Sequence, residues 1–391
     1  MYQRMCRPSK NHSHFLFGVR GVGKSTLIRS ILKDKNVYWI DLLSGEDEFK
    51  YIQNPDLLMM EIEALARQSR MPAWVVIDEV QKAPKLLDLV HLLIEKHKLK
   101  FVLTGSSARK LKRGGANLLA GRAFVNHLFP LVHLELGSDF ELDEYLRWGG
   151  LPELYSDQMK KTEDKTRFLK AYVNTYLKEE ILVEQIVRKI EPFHHFLQTA
   201  AQCSGDIINF SKIADDAGTD DKSVERYYQI LEDTLVGYHL LPFHGSVRKR
   251  QIKSSKFYFI DPGIIRALRG DLGNKPMPSS YEYGNIFENF IVGEIFKLNS
   301  YYEKDYRLSY VKTKDGVEID LVIECGSRKV ICVEIKSGRV ASLDGFKAQI
   351  DLAGDIGCPG LVVLSQNVKA MAGNGITVFP WKEGIRHIFE R

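Results

Sequence analysis

Gly18-Val19-Arg20-Gly21-Val22-Gly23-Lys24-Ser25 is the stretch from which the fold can be read. It satisfies the pattern G-x-x-x-x-G-K-[ST] at every position. Apolar Phe15-Leu16-Phe17 stands before it and Thr26-Leu27-Ile28-Arg29-Ser30-Ile31-Leu32 after it, so the order reads strand, loop, helix. Glycines let the backbone curl until successive N–H groups point at one place, and the helix N-terminus adds its positive end. Phosphate oxygens fit such a cradle. Gly18, Gly21, Val22 and Gly23 would supply the backbone, Lys24 would reach the β- and γ-phosphates of ATP, and Ser25, with Thr26 beside it, would hold Mg²⁺.

Working outward, Trp74-Val75-Val76-Ile77-Asp78-Glu79 is an apolar run ending in two acids. A buried parallel strand reads this way, and ligands sit at the carboxyl ends of such strands. Asp78 is the expected Mg²⁺ partner and Glu79 the group that activates or orients the attacking water. An apolar run followed by two acids is a weak signal alone; paired with the phosphate loop it becomes strong. Residues 37–42 read as a further strand, 56–70 and 86–97 as helices, and 100–104 as a strand running into Gly105-Ser106-Ser107. Thr104 and the serines either touch the γ-phosphate or form an ordinary polar turn. The basic stretch 110–115 contacts nucleic-acid phosphates or is simply solvated. Arg122 is a candidate arginine finger, from the same chain or a neighbouring subunit. The last strand of this sheet is expected over 124–136, broken at Pro130.

The chain has 391 residues, enough for two or three domains with real cores. It is 44% apolar and 27% charged, with a net charge of +5, which is compatible with nucleic acid but does not argue for it. Five cysteines form no C-x-x-C pair, so reduced thiols and a cytoplasmic location are expected. No signal peptide and no apolar run of membrane-spanning length is present, so no membrane association is expected.

Beyond 138 the pattern turns helical, with a Gly149-Gly150-Leu151-Pro152 break and a long helix over 166–187. Residues 209–218 and 221–235 follow a helix, tight turn, helix cadence, and 242–259 read as a hairpin with Arg248-Lys249-Arg250 near its tip. Either Lys222, Ser223 and Arg226 face a DNA groove, or the motif is structural.

A second constellation lies near the C-terminus. Glu288 sits on an amphipathic helix, Asp320 interrupts the apolar strand 317–323, and Glu334 and Lys336 lie on strand 330–336. Period-two alternation puts Glu334 and Lys336 on one face. Glu288, Asp320 and Glu334 offer hard oxygen ligands for Mg²⁺, with Lys336 placed to position water or offset charge, and Gln349 a further polar partner. Rim charges on a sheet, with Glu334 and Lys336 simply paired, are the other reading.

The order Glu, Asp on a strand, then E-x-K resembles the PD-(D/E)XK nucleases. Over nearly its whole length the chain resembles the bacterial and archaeal AAA-like P-loop ATPases that carry a C-terminal domain of unassigned function. The likeness rests on G-V-R-G-V-G-K-S-T, V-V-I-D-E-V-Q-K-A-P, L-T-G-S-S-A, L-A-G-R-A, W-G-G-L-P-E, K-F-Y-F-I-D-P-G, G-N-I-F-E-N-F, E-I-D-L-V-I and V-E-I-K-S. The resemblance implies nucleotide binding and a restriction-endonuclease-like tail. The expected fold is therefore α/β: a P-loop parallel sheet over 1–137, a helical lid over 138–190, a winged helix-turn-helix over 191–272 and a nuclease-like α/β domain over 273–391. The expected activity is a Mg²⁺-dependent ATPase coupled to a nuclease-like domain, acting on DNA, with RNA as the other candidate, and assembled as a homo-oligomer. The alternative is an ATP-switched binding module that docks nucleic acid or protein without cutting.

Overall fold

The computed structural model describes residues 2–106, 119, 121–176, 190–243, 254–326, 329–339 and 343–390. The basic stretch 110–115, Ser107, the hairpin tip 248–250 and the helix end 177–187 lie outside the described residues. The chain divides into two compact units. The first comprises residues 1–131 with 151–153 and 233–236; the second comprises 132–150, 154–232 and 237–391.

In the first unit the order is β1 (Ser13–Phe17), α1 (Lys24–Ile31), β2 (Val37–Asp41), α2 (Gly45–Gln53), α3 (Leu57–Arg67), β3 (Trp74–Asp78), α4 (Leu86–His97), β4 (Lys100–Gly105) and β5 (Ala123–His127). The strands form one sheet in the order β2-β3-β4-β1-β5, and every pairing is parallel. β1 and β3 are buried along their whole length, as strands covered on both faces must be. Phe15, Phe17, Ile77, Phe101 and Leu103 from the strands pack with Leu58, Ile62, Leu86 and Val90 from the helices. Each such side chain contributes roughly 1.5–3 kcal/mol by leaving water. The order has a functional consequence: β4 lies between β1 and β3, so the end of β4 stands between the phosphate loop and the Asp78-Glu79 pair. The expected strand over 124–136 is shorter than that. It ends at His127, and His133–Leu136 is a helical turn, because Pro130 and the chain after it leave the sheet edge.

The second unit contains α5 (His133–Leu136), α6 (Leu142–Trp148), α7 (Thr162–Ala171), α8 (Ile190–Gln202), α9 (Phe210–Ala217), α10 (Asp221–Asp233, whose last residue falls in the first unit), β6 (Gly237–Pro242), β7 (Lys256–Phe259), α11 (Pro262–Arg269), α12 (Tyr281–Tyr301), β8 (Arg307–Lys312), β9 (Glu318–Glu324), β10 (Val330–Lys336), α13 (Lys347–Asp355), β11 (Leu361–Ser365), β12 (Met371–Gly373), β13 (Ile376–Pro380) and α14 (Trp381–Phe389). Its strands form one mixed sheet in the order β12-β13-β11-β10-β9-β8-β6-β7. A boundary at 272/273 thus falls inside one compact unit: β6 pairs in parallel with β8 through Leu241–Ser309 and Pro242–Tyr310. The segment 271–280 therefore lies between elements of one unit whose strands share a sheet.

Two segments that carry the family likeness have a packing role here. Asp261 caps α11 by accepting from Gly263 N at 2.9 Å and Ile264 N at 3.2 Å, and its other oxygen accepts from Gly150 N at 2.6 Å. Gly149 has φ of 80°, and a Cβ there would lie 1.9 Å from Asp261 Oδ1. The W-G-G and F-I-D-P-G segments are therefore two halves of one buried joint.

Candidate functional site

α1 begins at Lys24 because Gly23 takes a left-handed conformation at its N-cap (φ 90°), with Gly21 similar at 80°. This turns the chain sharply from β1 into the helix. Gly18 closes the base of the loop by donating to Gly105 O at 3.3 Å. Lys24 is 7% exposed, and its ammonium donates to Gly18 O at 2.8 Å and stands 3.6 Å from Glu79 Oε1. Ser25 Oγ donates to Asp78 Oδ2 at 2.6 Å. Thr104, fully buried, donates its hydroxyl to the other Asp78 oxygen and accepts from Glu79 N at 3.1 Å. One threonine thus ties both acids to the end of β4. Thr26 lies on the exposed side of α1.

The structure brings Gly18, Gly21, Val22, Gly23, Lys24, Ser25, Asp78, Glu79 and Thr104 together. It also adds two residues that the sequence reading missed. Gln81 Nε2 donates to Glu79 Oε2 at 2.5 Å and to Ser106 Oγ at 3.2 Å, so the carboxylate is held from the side. Its signal was its place in V-V-I-D-E-V-Q. Arg4 donates to Val22 O at 2.6 Å and Phe129 O at 2.5 Å, bracing the loop from outside. No local pattern pointed to Arg4, because the contact spans the fold. Arg122 sits just before β5 and donates to Glu95 Oε1 on α4 at 2.5 Å.

Hard oxygen donors suit Mg²⁺. The Ser25 hydroxyl and the Asp78 carboxylate, already in contact, meet that requirement at the mouth of the phosphate loop.

In the second unit β9 and β10 are antiparallel neighbours, and this places Asp320 beside Glu334. Asp320 Oδ2 accepts from Ile335 N at 2.8 Å. Burial pushes the Asp320 carboxyl well above the ordinary value, and the charges of Glu288 and Glu334 push the same way. Glu334 is raised by burial and by Glu288 and Glu318, against the pull of Lys336. Its Oε1 accepts from Lys336 at 2.7 Å, and its Oε2 is buried with no hydrogen-bond partner among the described residues. Lys336 itself is about half exposed, with its side chain at 47%.

One residue outside the expected set joins this cluster. Lys256, on β7, is 4% exposed and places its ammonium 3.3 Å from Glu288 Oε1 and 2.6 Å from Glu318 Oε1. Burial opposes its charge, but Glu288, Glu318 and Asp320 together hold its pKa above the usual lysine value. Tyr258, two residues on and on the same face, donates to Glu288 Oε1 at 2.7 Å, while Lys312 meets Glu318 Oε2 at 2.6 Å. Among the described residues no group of three or more His, Cys, Asp and Glu side chains is arranged to hold a metal ion. Glu288, Asp320 and Glu334 lie near enough for their charges to act on one another. Each is engaged with a different partner, and a lysine ammonium carries the positive charge that a divalent ion was expected to bring. The clue in sequence was a lysine opening the otherwise apolar strand Lys256-Phe257-Tyr258-Phe259.

Around the helical pair, Asn209 caps α9 by accepting from Lys212 N, and Gly218 ends it in a left-handed turn before α10. Lys222 and Arg226 are exposed on α10. Ser223 is engaged with Asp220, donating through N at 3.0 Å and Oγ at 2.8 Å, so its hydroxyl serves the helix start.

Residues 10–137 match the AAA domain family. Residues 139–275 and 283–383 match two domains of unknown function, DUF8612 and DUF4143. Uncharacterised proteins of Mycobacterium bovis and Mycobacterium tuberculosis are each 24% identical over 315 residues, covering 80% of this chain and 68% of theirs. Among solved structures, the Walker-type ATPase PABY2304 of Pyrococcus abyssi is 16% identical with a TM-score of 0.43, covering 66% of this chain and 92% of that one. The Aeropyrum pernix ORC1 protein in complex with DNA is 14% identical with a TM-score of 0.26, covering 68% and 87%. At these scores both structural likenesses are partial. The parallel sheet, the phosphate loop and the family match define the N-terminal region as a P-loop ATPase domain of AAA type, and ATP as its nucleotide. No helix among the described residues is long and apolar enough to cross a membrane.

Proposed function

We propose that the chain is a Mg²⁺-dependent ATP hydrolase that uses nucleotide turnover to control a DNA-engaging second unit. The network Lys24, Ser25, Asp78, Thr104 and Glu79 carries the first half of this reading. Lys24 holds the phosphate end of the nucleotide, and Ser25 and Asp78 would hold the metal. A Mg²⁺ ion held by them would supply positive charge to offset that of the phosphates. Glu79 orients and deprotonates the attacking water, with Gln81 and Thr104 fixing its carboxylate and its backbone. Arg122 is proposed as a finger acting on a neighbouring subunit of a homo-oligomer. In vitro ATPase assays of the purified chain, with Glu79→Gln as control, test this half. Turnover by Glu79→Gln at the wild-type rate would sink it.

For the second unit the geometry favours docking over cutting. Lys256 neutralises Glu288 and Glu318 from within, and Glu288, Asp320 and Glu334 each hold a different hydrogen-bond partner. The exposed Lys222 and Arg226 on α10 support DNA as the docked partner. The cutting reading keeps one observation in its favour, the unpartnered buried oxygen of Glu334 beside Asp320 and Lys336. A gel assay decides between them, run with linear and circular DNA and with Mg²⁺, Mn²⁺ or Ca²⁺. Docking predicts intact DNA under every metal and an altered DNA affinity in Asp320→Ala. Cleavage by the wild type that disappears in Asp320→Ala, with ATP hydrolysis retained, would establish the nuclease reading instead.

A further inference from the structure

A cavity of about 520 Å³ opens in the second unit between α5, the end of α12 and α14, away from the acid cluster. Its volume is ordinary for a small-molecule site. Leu298, Tyr302, Ile385 and Phe389 make its walls apolar and aromatic. Lys304, Lys382 and Arg386 also line it, against a single carboxylate, Glu390. All three cations are exposed. The balance of charge favours an anion.

A second observation is independent of the surface charge. His133 lines the same cavity yet is only 7% exposed. Its Nδ1 lies 2.5 Å from Glu294 Oε2, and its backbone N donates to that same oxygen at 2.9 Å. Glu294, fully buried, is paired through its other oxygen with Lys297 at 3.4 Å, and Lys297 also donates to Tyr145 Oη at 3.1 Å. Burial opposes the charge on Glu294, but Lys297 and His133 hold its carboxyl below the usual range. An ionised Glu294 fixes the Nδ1 proton, which leaves Nε2 as the polar atom that His133 can offer to the cavity. The ring is kept in place edge-on by Trp381, with centroids 5.0 Å apart, and by Phe140 at 6.0 Å. No partner for Nε2 occurs among the described residues. A buried, oriented imidazole at the floor and cations at the rim of an apolar cavity form a built site.

We propose that this cavity binds a small amphipathic anion, with an apolar aromatic body and a carboxylate or phosphate head. The body lies against Leu298, Ile385, Phe389 and the ring of His133, while Arg386 and Lys382 meet the head. Arginine suits both heads because its planar fork engages two oxygens at once. Nothing in this site belongs to the phosphate loop, so it stands apart from the ATPase reading.

Isothermal titration calorimetry of the full chain tests it, using 2-naphthoate, 2-naphthyl phosphate and the neutral 2-naphthalenemethanol as probes. One or both anions are expected to bind once per chain, at least tenfold tighter than the alcohol, and the tighter anion tells which head the site takes. Arg386→Glu, an exposed change that leaves the core intact, should weaken that anion at least tenfold, and His133→Asn should weaken it a few-fold. Lys24→Ala should leave the affinity unchanged. Equal affinity for anion and alcohol, no binding at millimolar probe, indifference to Arg386→Glu in a folded preparation, or loss of binding in Lys24→Ala would each overturn the proposal.

Discussion

The two polar centres of this chain are built from similar parts in opposite ways. In the first unit a lysine, a hydroxyl and two acids come from segments that a sequence motif already marks, and parallel strand order puts them together. Lys24 and Asp78 are tied to the phosphate loop through Gly18 O and the Ser25 hydroxyl, and Lys24 keeps its ammonium within reach of Glu79 at 3.6 Å. In the second unit the acids are also marked by sequence, but the decisive cation, Lys256, arrives from a strand that pairs into the sheet from earlier in the chain. One centre has its charge poised for a ligand. The other has much of its charge satisfied internally. A motif predicts chemistry when the fold leaves its groups unspent, and the topology around the motif decides whether it does.

The sharpest way to break that contrast is to remove one group from the first centre. Lys24→Ala deletes the point charge for the β- and γ-phosphates, so ATP affinity should fall roughly 100-fold or more. Glu79→Gln keeps the binding geometry and loses the water-activating carboxylate, so turnover should drop by about 10²–10⁴-fold with nucleotide still bound. Equilibrium binding of a fluorescent ATP analogue, measured beside steady-state hydrolysis, separates the two effects. If both variants lost binding equally, Glu79 would be a structural partner of Lys24 rather than a catalytic group.

Next in size is Lys256. Replacing it by Met leaves Glu288 and Glu318 facing each other without their shared cation, and breaking a buried pair in this way costs about 3–5 kcal/mol. Urea denaturation should show that loss in the second unit's transition. Mn²⁺ should then restore more stability to Lys256→Met than it adds to the wild type, because the variant leaves Glu288 and Glu318 without their shared cation. A wild type stabilised by millimolar Mn²⁺ to the same extent would mean the lysine does not stand in for a metal.

These differences explain how much was legible. The phosphate loop, the strands around it and α4 could be read because their residues signal locally: glycines at the turn, unbroken apolar runs and acids at a strand end. Asp320, Glu334 and Lys336 were legible as neighbours because alternation along β9 and β10 fixes their faces. Lys256 and Arg4 were not, since neither lies near its partners in sequence and no periodicity carries information across 32 or 125 residues. The joint between Asp261 and Gly149-Gly150 was visible only as two motifs, and its purpose emerged from a close approach that sequence cannot show.

A smaller effect concerns Arg122. If it completes the site of a neighbouring subunit, mixing Arg122→Ala with Lys24→Ala chains should recover part of the lost hydrolysis, at most about a quarter of wild type for a two-subunit site. Its ion pair with Glu95 gives the competing expectation, a surface role within one chain. Mixed oligomers shown by differential tagging that still hydrolyse nothing would favour the surface role.

The smallest expected effect is also the most diagnostic of purpose. Asp320 and Asp261 are both buried, and burial raises both above the ordinary 3.8. A carboxyl raised in the folded state holds its proton more tightly there than in the unfolded chain. Its contribution to stability is therefore full below the unfolded value and is lost as pH rises through the folded one. At about pH 7–8 each acid is then a burden that its hydrogen bonds must offset. Asp261 accepts three backbone N–H groups, from Gly150, Gly263 and Ile264, so Asp261→Asn, which cannot accept at both ends, should destabilise the chain. Asp320 accepts one, from Ile335, and is repelled by Glu288 and Glu334. Asp320→Asn keeps that acceptor and removes the repulsion, so it should stabilise by on the order of 1 kcal/mol near neutral pH, a gain that shrinks toward pH 4. Thermal melts of both variants from pH 4 to 8 provide the check. Opposite signs would mark Asp320 as an acid kept for function at the expense of stability, and a loss in both would make it a structural acid like Asp261.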